Sequence, residues 1–516
     1  MEVKSTAKKS ILNILSSVFN QVFAIALGLI IPRLYLVTYG SEVNGLLNSI
    51  GQVFSYLALL EAGVGTAALT SLYKPVAQND KNSISSIMSA THIFYKRTGI
   101  IYFIAVLLLS VGYPLIVKSD LPMWEIVLII QLNGLPNVIS FFYQGKYNIL
   151  MQSEGKNYIL TNLSTIITFL TNISKVVLML IGLDVISIQI AYFIFNLIKM
   201  AFIMIYVKKH YKWLDVKTKP NFQAISQKNS VLVMQLCDMV FRHTDVIILT
   251  IFCDLKVVSV YTIYNTLFST ISTFMDAFSQ GFSFALGQKF DTNRKRYIKL
   301  HDIYETYRMA LVFSLIAIAY IFIIPFIKLY TSGVTDINYV DKYIPLLFTL
   351  NLLLTNGRAN SSAVITYAKH FKQTQWRCVA EAIINLTVSL VAVNFFGIYG
   401  VLLGTFAALL YRANDMIIYA NKKILLRSPW VTYKRWLVLI ITFVLVEYAV
   451  SYINVDLSSY LKIILWAVVA CATIIPIFFG VISLIEYKQT KEAFVILKKY
   501  ILGFLSKYKS LLNSNK

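Results

Sequence analysis

The sequence predicts an all-α integral membrane protein with about fourteen transmembrane helices, arranged as two six-helix lobes followed by two further helices. Three observations lead there. The 516 residues are 57% hydrophobic and only 14% charged, with mean hydropathy +0.67. The apolar residues come in runs long enough to cross a hydrocarbon core about 30 Å thick. Landmarks then recur some 215 residues apart. A soluble chain of this length would expose more charge and divide into cores of about 100–200 residues.

Taken in order, the spans fall at 11–38, 46–72, 98–117, 123–143, 158–181, 185–207, 229–253, 258–286, 306–330, 343–367, 378–396, 398–420, 436–453 and 461–484. The first follows Lys4, Lys8 and Lys9 without a small-residue cleavage site, as a retained helix does rather than a removed signal. With the N-terminus inside, the inner segments carry 35 Lys and Arg residues and the outer loops and margins five. The positive-inside rule therefore places both termini in the cytoplasm. Outer loops are short, the longest being 331–342, which leaves no room for an external catalytic domain. Residues 84–97 and the tail Tyr487–Leu512 read as amphipathic; the tail is a basic helix suited to the anionic inner leaflet.

The recurrence is ordered. Glu61 matches Asp276, Gly182 matches Gly397, and Lys208–Lys209 correspond to Lys422–Lys423 within a residue. The domains expected are an N-terminal lobe 1–210, a C-terminal lobe 211–425, two added helices in 426–484 and the tail 485–516. Lobes of equal topology suit alternating access around a site at their interface.

Seven cations lie inside spans: Arg33, Lys175, Lys199, Arg242, Arg308, Arg358 and Arg412. A cation in a bilayer is costly, so such residues face a bundle interior or a watery cavity, where they meet partners or substrate. The expected cargo is thus an anion or the charged head of a lipid. Arg33 follows Pro32, and Arg358 follows Asn356 and Gly357 near the centre of its span. Guanidinium forks suit phosphate. Lys175 and Lys199 snorkel only partly from mid-span, leaving substrate contact and ion pairing both open; Arg308 and Arg412 read as snorkelling to the cytoplasmic side. The substrate-binding candidates are Arg33, Arg242, Arg358, Lys175 and Lys199.

The carboxylates supply candidates for ion coupling or counter-charge: Asp238, Asp245, Glu61 and Asp276. Asp238, Arg242 and Asp245 share one side of a helix, either as a self-neutralising group or as a site for H⁺ or Na⁺. Glu381, Asp415 and Glu447 read as single acids. His243 reads as a satisfied packing residue rather than a proton relay. No phosphate loop occurs, since Gly145-Lys146 and Gly155-Lys156 lack the upstream glycine and the following hydroxyl. No H-E-x-x-H is present, and the four cysteines have no paired spacing. Neither a catalytic residue, a metal, a cofactor nor a nucleic-acid partner is expected, because the net charge of +23 is accounted for by topology.

Two stretches resemble the opening of Wzx-type polysaccharide repeat-unit flippases: Ile31-Pro-Arg-Leu-Tyr with Tyr39-Gly-Ser-Glu-Val-Asn-Gly45, and Leu60-Glu-Ala-Gly-Val-Gly-Thr-Ala with Leu72-Tyr. Thr244-Asp245-Val-Ile-Ile-Leu and Val258-Ser-Val-Tyr-Thr-Ile-Tyr264 resemble the same family in the second lobe. The resemblance covers nearly the whole chain through individually loose motifs. It implies the two-lobed, MATE-like fold of the multidrug/oligosaccharidyl-lipid/polysaccharide exporter superfamily. It also implies movement of undecaprenyl-diphosphate-linked oligosaccharide from the inner to the outer leaflet of a bacterial plasma membrane, for capsule, exopolysaccharide or lipopolysaccharide synthesis. Arg33, Arg242 and Arg358 would be its diphosphate contacts in a cationic cavity. Membrane lipids, and a polysaccharide polymerase with its export machinery, would be its partners. The alternatives are a lipid-linked peptidoglycan-precursor flippase, a cation-coupled drug or metabolite antiporter, and a membrane glycan polymerase.

Overall fold

A computed structural model describes residues 2–154, 156–223, 239, 243–368, 370–453 and 455–495. The described chain is helical throughout, with no strand. Helix α1 (Glu2–Ala77) joins the first two expected spans across Gly40, whose φ of +81° lies in the left-handed region that glycine favours. Then come α2 (Lys81–Ile116), α3 (Met123–Tyr143), the short α4 (Gly145–Ser153), α5 (Asn157–Leu180) and α6 (Val185–His210). The second lobe holds α7 (described over His243–Phe252), α8 (Leu255–Thr292), α9 (Arg294–Tyr330), α10 (Tyr343–Tyr367), α11 (Phe371–Phe396) and α12 (Ile398–Tyr419). A π-helical turn, Ala420–Leu425, leads to α13 (Trp430–Val450) and α14 (Tyr460–Ile485). Among the described residues eight helices are long and apolar enough to cross a membrane. The fold is that of a multi-pass membrane protein.

The repeat seen in the sequence has a physical counterpart in the elements. Gly182, between α5 and α6, and Gly397, between α11 and α12, both have positive φ. Two long helices resemble each other: α2 has 36 residues and α9 has 37, each about 55 Å at 1.5 Å per residue. That exceeds the bilayer core, so both project beyond it. Both also start on a side-chain cap. Asp80 accepts the amides of Asn82 and Ser83, and Asn293 accepts that of Arg296. The Ser83 hydroxyl and these two amides hold the Asp80 carboxyl below the usual carboxylate range.

The chain forms two compact units. The first comprises residues 1–266, 333–337 and 389–401, and the second the remainder. In the first, α2 packs along α3, α3 and α5 along α6, and α1 against α2, α4 and α5. Near the start of its second span, α1 meets α8: Asn44 Nδ2 donates to Ser259 Oγ at 2.7 Å, and both residues are buried. These positions are 215 apart, the interval at which landmarks recur in the sequence, and both lie in the first unit. A side chain at Gly45 would overlap the Leu255 carbonyl, so glycine is what permits this crossing. Beside it Ser41 binds Asp336 through its amide (2.8 Å) and its hydroxyl (2.6 Å).

In the second unit α9 is the hub, packed against α10, α13 and α14. A buried ionic network fastens the two added helices to it. Glu305, on α9, receives Arg427 (2.9 Å), Arg435 and the Thr432 hydroxyl (3.0 Å); Arg435 also reaches Asp302 and Glu486, each at 3.3 Å. Arg435 is 0% exposed and Glu305 1%. Such charges are stable only when fully paired. Arg427 and Arg435, counted in the sequence as topology charges, are therefore structural ions.

Candidate functional site

Of the expected substrate cations, Arg33 lies on α1, half-buried, directly after Pro32. Lys175 sits in the last two turns of α5, closer to the helix end than mid-span, with its ammonium 5.4 Å from the centre of the Tyr192 ring on α6. Lys199 lies near the middle of α6, half-buried. Among the described residues neither lysine has a carboxylate or hydrogen-bond partner. Arg242 and Asp238 lie outside the described residues, as does the side chain of Asp276 on α8.

The other expected carboxylates are in place on the first unit. Glu61 accepts the hydroxyl of Tyr95, from α2. Asp245, buried on α7, accepts the Tyr261 hydroxyl of α8 at 2.9 Å. Immediately before it on α7, Thr244 shares a hydrogen bond of 2.6 Å with Tyr56, and His243 contacts Gln52. No group of His, Cys, Asp and Glu able to hold a metal occurs among the described residues.

Arg358 is part of a larger arrangement in the second unit. Its Nη1 lies 2.5 Å from Glu381 Oε1 on α11. The other oxygen of Glu381 lies 3.3 Å from Arg412 Nε on α12, an ion pair without hydrogen-bond alignment. Arg412 Nη1 donates to Asp415 at 2.7 Å, its Nη2 to Cys378 Sγ at 3.1 Å, and Asp415 also holds Arg377. Arg358, Glu381, Arg412, Asp415 and Arg377 thus form a ladder of alternating charge across α10, α11 and α12. Glu381 and Asp415 are not the single acids expected from sequence; both cations of Glu381 come from other helices, and Asp415 holds Arg377 of α11 as well as Arg412, three residues before it on α12.

The two arginines expected to snorkel do not. Arg412 is 2% exposed and Arg308 3%. Arg308 Nη1 donates to the Asn356 carbonyl and its Nε to Ser279 Oγ, both at 2.8 Å. It thereby holds α10 two residues before Arg358. A guanidinium buried this deeply finds protein acceptors at lower cost than an extended path to water.

Gly357 adds a second constraint on α10. A Cβ there would overlap the Trp436 indole of α13, so α10 is pressed against α13 at the residue before Arg358. Trp436 in turn lines an apolar cleft of about 570 Å³ between α10, α12 and α13, together with Leu350, Phe406, Leu410, Trp430 and Phe443. The ladder of alternating charge and the apolar cleft thus both draw on α10 and α12 within one unit, and nothing in the residue spacing indicates the cleft.

No protein-family model matches the sequence, and no curated protein does. Solved structures do match. The chain is similar to a lipid II flippase, MurJ, in an inward closed conformation: TM-score 0.67, 13% identity, over 90% of this chain and 99% of that one. It is also similar to an inward-facing multidrug resistance MATE family transporter of the MOP superfamily: TM-score 0.61, 13% identity, over 78% and 95%. The chain shares the all-α fold of these two membrane transporters. This is the fold class expected from the sequence.

Proposed function

We propose that this protein is a flippase for an undecaprenyl-diphosphate-linked oligosaccharide, moving it from the inner to the outer leaflet of a bacterial plasma membrane for surface polysaccharide synthesis. The observation that carries this reading is Arg358 on α10, directly after the Gly357 that is pressed on Trp436, a residue lining the apolar cleft. An amphiphile with an anionic head and an isoprenoid tail needs both features side by side. A strongly hydrated diphosphate cannot cross hydrocarbon unaided, because its hydration must be replaced by donors of opposite charge.

Lys175 and Lys199 support the same reading from the first unit. A bilayer-embedded ammonium that no carboxylate answers among the described residues suits an anionic cargo. A cationic drug would instead favour unpaired carboxylates, yet Glu381 and Asp415 are each held by arginines. Arg33 and Arg242 are assigned to the same anionic head. Asp245 is the acid through which an H⁺ or Na⁺ gradient would reset the empty carrier. In this reading both termini are cytoplasmic.

Deleting the gene in its host tests the assignment. Lipid-linked oligosaccharide should accumulate on the inner leaflet, with its synthesis intact and surface polysaccharide lost. Accumulation on the outer leaflet would instead identify a polymerase. A change confined to lipid-linked peptidoglycan precursor would identify that precursor as the cargo.

A further inference from the structure

We propose that Glu381 is an internal competitor for the substrate phosphate: it holds Arg358 while the carrier is empty and yields it when a diphosphate arrives. This rests on the flippase reading above and goes beyond it by assigning a role to a carboxylate.

The ladder makes such an exchange inexpensive. A carboxylate and a phosphate offer a guanidinium the same chemistry, paired anionic oxygens for its planar fork. Were Glu381 bound to Arg358 alone, releasing the arginine would strand a buried carboxylate, at a cost of several kcal/mol. Glu381 is not so bound. Its second oxygen faces Arg412, and Arg412 is steadied in turn by Asp415 and Cys378. Glu381 can therefore give up Arg358 and keep a counter-ion.

The exposures agree with that division of labour. The Arg412 side chain is 3% exposed and that of Arg358 15%, so the buried arginine is the fixed partner and the more open one the exchangeable partner. The backbone around Arg358 is also held independently of Glu381. Arg308 grips the Asn356 carbonyl, and Gly357 is pressed on Trp436. Loss of the Glu381 contact leaves the start of the arginine side chain where it was.

The competition has a use. A carrier must bind its cargo on one side and surrender it on the other, and a phosphate bound to an unopposed arginine in a dry site leaves slowly. A built-in carboxylate weakens binding and recaptures the cation at release.

The test is binding of farnesyl diphosphate to the full-length protein in detergent by calorimetry, with inorganic pyrophosphate as a second probe. Glu381→Gln removes the competing charge and keeps the shape, and should tighten both probes about tenfold, as losing a charged competitor worth roughly one charge-assisted bond implies. Glu381→Asp, which keeps the charge but draws it back from Arg358, should tighten them less, and decides the question if the glutamine variant does not fold. Arg358→Ala should weaken both probes and abolish the effect of Glu381→Gln. Wild-type binding followed by unchanged affinity in the Glu381 variants would overturn this proposal alone. Tightening of farnesyl diphosphate without pyrophosphate would place the effect on the isoprenyl chain and would also overturn it. A wild-type protein that binds neither probe would overturn the flippase reading as well.

Discussion

Lys175→Met and Lys199→Met should each cut transport of a lipid-linked diphosphate about ten- to 150-fold, while the protein still folds and reaches the membrane. The magnitude is that of one charge-assisted contact, about 1.5–3 kcal/mol. The stability expectation has the opposite sign to the usual core mutation. Neither ammonium has a carboxylate to neutralise it among the described residues, so exchanging it for a thioether of similar length removes a desolvation cost and breaks no ion pair. The unfolding temperature should stay level or rise, a trade of stability for activity found where a site stores unfavourable charge. Transport rate and thermal unfolding measured on the same preparations check both halves. Unimpaired transport in both variants at matched expression would remove the lysines from the substrate path.

Arg435→Ala should have the largest effect on stability. Arg435 is fully buried among Asp302, Glu305 and Glu486. Removing it leaves three carboxylates with less than their share of positive charge, at a cost of about 3–5 kcal/mol. Because those carboxylates sit on α9 and at the end of α14, the loss should loosen α13 and α14 before the rest of the second unit. Lys434→Ala is the internal control. Its ammonium lies 3.2 Å from Glu486, but the side chain is 44% exposed, so its removal should cost less than about 1 kcal/mol. Thermal unfolding with protease accessibility of residues 451–459 reads both variants. Equal stability of Arg435→Ala and Lys434→Ala would refute the clamp.

The membrane fold was legible because its signals are local and additive: apolar run length, the interval of 215 between matched residues, and glycines at 182 and 397 where the chain must turn. Contacts between helices were not. Glu381 looked solitary because its arginines belong to α10 and α12, and no spacing rule links residues 23 or more positions apart; the Arg412–Asp415 pair, three positions apart on α12, was within reach of such a rule. Arg412 looked like a snorkelling residue because a sequence shows depth along a helix but not the direction a side chain faces. The same blindness made Arg427 and Arg435 look like solvated topology charges when their α9 partners, Asp302 and Glu305, lie over 120 positions upstream. Asn44 and Ser259 were the exception in principle: the repeat offset relates them, although nothing in the sequence showed that they touch.

Flipping is measured most directly with purified protein in liposomes carrying a fluorescent undecaprenyl-diphosphate oligosaccharide, a membrane-impermeant quencher reporting its leaflet. Translocation should depend on the protein, be absent from empty liposomes, be depressed in Lys175→Met and Lys199→Met and be competed by farnesyl diphosphate. Translocation no faster than in empty liposomes, under every imposed H⁺ and Na⁺ gradient, would contradict the flippase reading.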